Sequence, residues 1–98
     1  KPIHVIFATL KDKNIAPMLI QLGLISNDVT LTTFNHKRAR DEMDYFLYLG
    51  DYVFEDDYQK LIEEKLNQYP DDLLLITGSL YFTGIVRQYL LEKNRWLS

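Results

Sequence analysis

Three short stretches of this chain hold the residues that could do chemistry: Thr77-Gly78-Ser79-Leu80-Tyr81, Lys11-Asp12-Lys13 and Asn35-His36-Lys37-Arg38-Ala39-Arg40. The first follows four consecutive apolar residues, Leu73 to Ile76, and precedes an amphipathic run. It reads as a buried strand turning through a glycine into a helix. A helix start leaves backbone N–H groups unpaired and carries the positive end of the helix dipole, which favours a carboxylate or phosphate. The other two stretches supply cations. A lysine or arginine facing a helix N-terminus makes a pocket for a small anion such as an amino-acid carboxylate.

Each candidate also has an ordinary structural role. Ser79 is in place to cap its helix, a role compatible with a ligand contact through the same hydroxyl. Gly78 is needed for a tight turn whether or not a ligand binds. Tyr81, in the first helical turn, serves equally well as core or as pocket wall. Lys13 follows the first strand closely enough to reach the sheet's edge, although a solvated lysine is the commoner outcome. Asp12 is expected to cap the helix after it, or else to pair with its neighbouring lysines. The cluster Lys37-Arg38-Ala39-Arg40 suits a solvated turn. His36 stands in a loop without the companions a metal would need, His4 is expected at an exposed strand edge, and Glu55-Asp56-Asp57 fits a helix N-terminus without a catalytic role. No phosphate-binding G-x-x-x-x-G-K-[ST] loop, dinucleotide fingerprint, nucleophile elbow or metal-ligand spacing occurs. The chain does not contain a complete active site.

The elements that must position these residues follow from periodicity. Ile3–Ala8 reads as a strand buried on both faces. Ile15, Met18, Leu19 and Leu22 fall on one helical face, with Asn14 as cap, Pro17 in the first turn and Gly23 as stop. Val29–Phe34 is a β-branched strand, completing a βαβ unit whose strands should run parallel. Asn35 to Arg40 reads as a loop, and 40–49 as a helix with Met43, Phe46 and Leu47 on one side, ended by Gly50. Tyr52-Val53-Phe54 is either a brief strand or the lead-in to a helix over 55–69. That helix would be capped by Asp56 or Asp57 and carry an apolar stripe of Tyr58, Leu61, Ile62, Leu66 and Tyr69. After the Leu73–Ile76 strand, Phe82, Ile85, Val86, Tyr89 and Leu90 line a last helix. Asn94 to Ser98 is expected to fray, with Trp96 able to fold back on the core. The class is α/β in three layers with a parallel sheet. In such sheets ligands bind beyond the carboxyl ends of the strands, and all three chemical stretches fall on that edge.

Composition bounds the rest. The chain has 98 residues, 47% of them hydrophobic, with a net charge of −3 and both signs interspersed. That allows one domain or a piece of one, and offers no basic stripe for nucleic acid. There is no cysteine, so disulfides and thiolate metal sites are excluded, which fits a cytoplasmic protein. No apolar run approaches the ~18 residues that a bilayer-spanning helix requires. The opening Lys1-Pro2, running almost at once into a strand, suggests a segment of a longer protein.

The blocks ITGSLYF…VRQYLL, starting at Ile76, and VIFATLKDKN…M, starting at Val5, resemble a strand–helix unit pair of the folylpolyglutamate synthase/dihydrofolate synthase family, in the Mur ligase superfamily. FNHKRAR, starting at Phe34, is a looser match to a loop where that family often has Pro-Arg-Ala; here Lys37 replaces the proline. The resemblance implies most of a Mur ligase-type C-terminal domain over residues 1–98, a Rossmann-like sandwich without its first strand and helix. It further implies an ATP- and Mg2+-dependent ligase that adds L-glutamate to dihydropteroate or folate through an acyl phosphate. On this likeness Ser79, Leu80, Tyr81 and Lys13 would hold the glutamate, Arg38 and Lys11 would be further contacts to glutamate or phosphate, and Gly78 and Asp12 would shape the turns. Its partner would be the ATPase domain of the same chain, in a monomer with no bound nucleic acid or membrane. The family's Asp-Gly-Ala-His-Asn-Pro segment is missing, so neither ATP nor Mg2+ would bind this segment alone and no activity is expected from it. A free-standing α/β amino-acid-binding or protein-interaction module is the alternative.

Overall fold

A computed structural model describes residues 1–93, and the Trp96 and frayed-end expectations lie outside them. Four strands, β1 (Ile3–Ala8), β2 (Asp28–Thr32), β3 (Val53–Glu55) and β4 (Leu73–Gly78), form one sheet in the order β3-β2-β1-β4, with all pairs parallel. Helices α1 (Ala16–Ile25), α2 (Tyr58–Gln68) and α3 (Leu80–Glu92) cover it, together with a 3-10 helix over Glu42–Tyr48. The chain is therefore an α/β sandwich of three layers.

The period of two in β1 divides the core. Ile6 and Ala8 pack with Leu61 and Ile62 of α2 and with Phe82, Val86 and Tyr89 of α3. Val5 and Phe7 point the other way, into Ile15, Leu19, Val29, Leu31 and Tyr45. Removing this apolar surface from water is the main stabilising term. The helical stripes of α2 and α3 fall where their 3.6-residue spacing puts them.

Several local expectations need correction. Asn14 does not cap α1: the N-cap is Ile15, without a side-chain hydrogen bond, and Pro17 in the first turn removes one donor that a cap would serve. Gly23 does not stop α1, which runs on to Ile25. The end is set by Ser26, whose hydroxyl donates to the carbonyl of Ile3 and accepts from Asp28 N–H, while its own N–H reaches Leu22 O. The helix expected over 40–49 is instead a 3-10 helix over Glu42–Tyr48, whose exposed side carries Met43 and Leu47, at 74% and 85% exposure, and Phe46. Tyr45 is the residue that enters the core, donating its hydroxyl to Thr32 O at 3.2 Å. β4 is buried on one face only. Leu74 and Ile76 meet α2 and α3, whereas Leu73 and Leu75 are exposed because no described element covers that face beyond β1. His4, expected at an exposed edge, is buried at 7% exposure. The brief strand at 53–55 is present and pairs with β2, and Asp57 caps α2 by accepting from Lys60 N at 3.0 Å.

Candidate functional site

The carboxyl edge of the sheet is assembled around Gly78. Its φ is +128°, and a Cβ there would lie 1.9 Å from Ala8 O. Only glycine lets β4 run so close to the end of β1. The same approach lets Ser79 N–H donate to Ala8 O at 3.0 Å, which fixes the start of α3 beside the loop that leaves β1. Ser79 is the N-cap: its Oγ accepts from Tyr81 N at 3.0 Å, and the hydroxyl is largely buried. Leu80 and Tyr81 project outward, at 88% and 60% exposure. Neither belongs to the core. The Tyr81 ring leans on His36, 4.9 Å between centroids, and His36 in turn meets Phe34.

The two cationic stretches are joined to each other. Leu10 and Ala39 form an antiparallel bridge, Lys11 N–H donates to Arg38 O at 2.8 Å, and Arg40 N–H donates to Thr9 O at 2.9 Å. The loops after β1 and β2 are thus a short ribbon rather than two separate loops. Arg40 holds it from one end. Its guanidinium donates to the carbonyls of Asp44 at 2.7 Å, Lys13 at 2.8 Å and Lys11 at 3.3 Å, and lies 5.8 Å from the centre of the Tyr45 ring. Sequence reasoning placed Arg40 only within a solvated cluster. Its clamping role had one visible signal: Ala39 is the small apolar residue between two arginines, and it is the buried member.

The structure treats the sequence-derived candidates differently. Asp12 neither caps α1 nor joins its neighbouring lysines; it pairs with Arg38 at 2.9 Å, across the ribbon. Part of the Arg38 charge is therefore already satisfied within the chain. Lys11 lies 4.0 Å from Asp44, a carboxyl held below its usual pKa chiefly by the hydrogen bond from the Asp41 backbone. Lys13 is exposed, with no carboxylate within 4 Å among the described residues. Ser79, Leu80 and Tyr81 form one patch with His36, and Lys11, Asp12, Arg38 and Arg40 form a second patch on the adjoining ribbon. Lys13 stands at the end of that ribbon, at the entry to α1. The arrangement presents a capped helix N-terminus and an unpaired lysine on one edge of the sheet, which suits an anion with a polar body.

Among the described residues no group of three or more His, Cys, Asp or Glu side chains could hold a metal ion. The sequence has no G-x-x-x-x-G-K-[ST] phosphate loop either. A cavity of about 580 Å³ lies away from this edge, between α2, α3 and β4, and takes in His4, Lys65, Tyr69 and Asp72 at its polar end.

Two curated relatives match most of this chain. The chain is 37% identical over 92 residues to the folylpolyglutamate synthase of Lacticaseibacillus casei, covering 93% of this chain. It is 34% identical over 95 residues, 90% of this chain, to the dihydrofolate synthase/folylpolyglutamate synthase of Bacillus subtilis (strain 168). The chain is homologous to the folylpolyglutamate synthase/dihydrofolate synthase family. It spans about a fifth of the length of these relatives, 21% in each case. No family model and no solved structure matches it. The family relationship thus rests on the two relatives, and the α/β architecture on the sheet itself.

Proposed function

We propose that this chain is most of the C-terminal α/β domain of a cytoplasmic, ATP-dependent ligase that joins L-glutamate to dihydropteroate or folate, and that its carboxyl edge holds the glutamate. The observation that supports this most is the Gly78-Ser79 turn, which brings the N-terminus of α3 against the end of β1 and beside the cationic ribbon. In this reading the first-turn N–H groups of α3 and the Ser79 hydroxyl receive one carboxylate, and Lys13 receives the other. Tyr81 forms a wall against the ligand, and Leu80 makes contact through its backbone. Arg38 and Lys11 are secondary, since each already has an acidic neighbour. In the same reading ATP and Mg2+ belong to the ATPase domain of the same polypeptide, which the exposed edge residues face.

The test is steady-state kinetics of the full-length enzyme with Ser79→Ala and Lys13→Ala. Each should raise the KM for L-glutamate about tenfold, the weight of one charge-assisted hydrogen bond, and leave the KM for ATP unchanged. Unaltered glutamate kinetics in both variants would remove these groups from the pocket.

A further inference from the structure

At the opposite, amino ends of the strands, a second polar cluster gathers around the buried His4, with Asp28 and Asp72 half-buried beside it. His4, the second residue of β1, places Nδ1 2.6 Å from Asp28 Oδ2 at the start of β2. Its Nε2 lies 2.8 Å from Asp72 Oδ2, in the turn that leads into β4. Lys65 of α2 puts Nζ 2.7 Å from the same Asp28 oxygen. The Tyr69 ring stacks on the imidazole, 3.8 Å between centroids and 18° from parallel, and Lys65 lies 5.6 Å from the centre of that ring. These are the charged and titratable groups that face His4, from β2, from α2 with its C-cap, and from the turn before β4.

A neutral imidazole offers one donor and one acceptor, whereas an ionised carboxylate only accepts. With a carboxylate oxygen against each ring nitrogen, only the imidazolium satisfies both contacts. We infer that His4 is a proton-operated latch: charged, it ties β2, β1 and the turn before β4 together, and on losing its proton it releases Asp72. Asp72 is the contact that goes because Asp28 keeps Lys65, while Asp72 has no other cationic partner among the described residues. The turn at 69–72 then loosens, and with it the polar wall of the 580 Å³ cavity, which Tyr69, Pro70 and Asp72 line.

The direction of the pH effect follows from the same contacts. The hydrogen bond to Asp72 raises the His4 pKa most, burial opposes it, and Asp28 adds to the rise. A folded-state pKa above the ordinary value, near 6.5, means the latch stabilises fully below that pH and is lost as pH rises through the folded value. Nothing in the latch touches the candidate glutamate edge, so this inference stands or falls separately from the proposed function.

Denaturant unfolding of the protein across about pH 6 to 9, the window set by an ordinary or raised histidine pKa, is the experiment. The midpoint should fall with rising pH in the wild-type protein and in His36→Gln, which keeps the latch, and should lose that fall in His4→Gln. Nitrogen-detected NMR of the wild-type imidazole covers the case in which His4→Gln does not fold. Both His4 nitrogens should carry protons at neutral pH, and amide exchange at Asp72 and Leu73 should quicken as they lose one. A neutral His4 at neutral pH, or the same pH dependence in His4→Gln as in the wild type, overturns the latch.

Discussion

The two ends of the sheet use charge in opposite ways. At the amino ends, His4, Asp28, Asp72 and Lys65 turn toward one another beneath a tyrosine ring, each within 2.8 Å of an oppositely charged partner. At the carboxyl ends the backbone does the tying, through Gly78, the Ser79-to-Ala8 hydrogen bond and the Leu10–Ala39 bridge, and the side chains of Lys13, Leu80 and Tyr81 are left facing outward. A cluster that satisfies its own hydrogen bonds holds strands in register and has little left for a ligand. An edge held by its backbone and by the Arg40 clamp, with Lys13 left exposed, can bind something else at low ordering cost.

The sharpest way to break this contrast is Gly78→Val. A side chain would have to occupy a left-handed backbone position 1.9 Å from Ala8 O, so the edge cannot form as it stands. A loss of about 3 kcal/mol or more is expected, seen as a lowered denaturant midpoint. A wild-type midpoint would mean the turn is not fastened by close approach. Next in size is Asp28→Ala at the other end, which leaves Lys65 and His4 facing each other with no anion between them. About 2–4 kcal/mol should be lost. Burial would raise the Asp28 pKa, but the hydrogen bonds from Lys65 and His4 prevail and hold it down. The contribution of Asp28 is therefore present above the ordinary carboxylate range and disappears as pH falls below it. The smallest effect is Arg40→Met, which keeps a stem over Tyr45 but removes three hydrogen bonds to carbonyls. A cost of about 1–2 kcal/mol, with faster amide exchange confined to 9–14 and 38–44, would show that the ribbon is held by this clamp. Exchange unchanged there would assign the ribbon's order to its backbone pairing alone.

What the sequence disclosed follows the same division. Elements with a strong period were legible: the buried run Ile3–Ala8, the stripe Leu61-Ile62 of α2 and the stripe Phe82-Val86-Tyr89 of α3 all lie where their spacing puts them. So was the Ser79 cap, because its contact to Tyr81 N is two residues away. Local rules failed where a distant partner decided the outcome. Gly23 looked like a helix stop, but Ser26 ends α1 by bonding to Ile3 O, 23 residues away. Met43 and Leu47 looked like core, but the 3-10 geometry turns Tyr45 inward instead. His4 looked like an exposed edge residue but is buried, because its partners lie 24 and 68 residues along the chain. The joining of the two cationic loops through Leu10 and Ala39 was hidden for the same reason.

Hydrogen exchange of the full-length protein with and without saturating L-glutamate tests ligand binding at the carboxyl edge most directly. Protection is expected at 78–83 and 9–14, the start of α3 and the ribbon, with no change at 28, 65 and 69–72. Protection at the His4 cluster, or none at the start of α3, would contradict the assignment of ligand binding to the carboxyl edge.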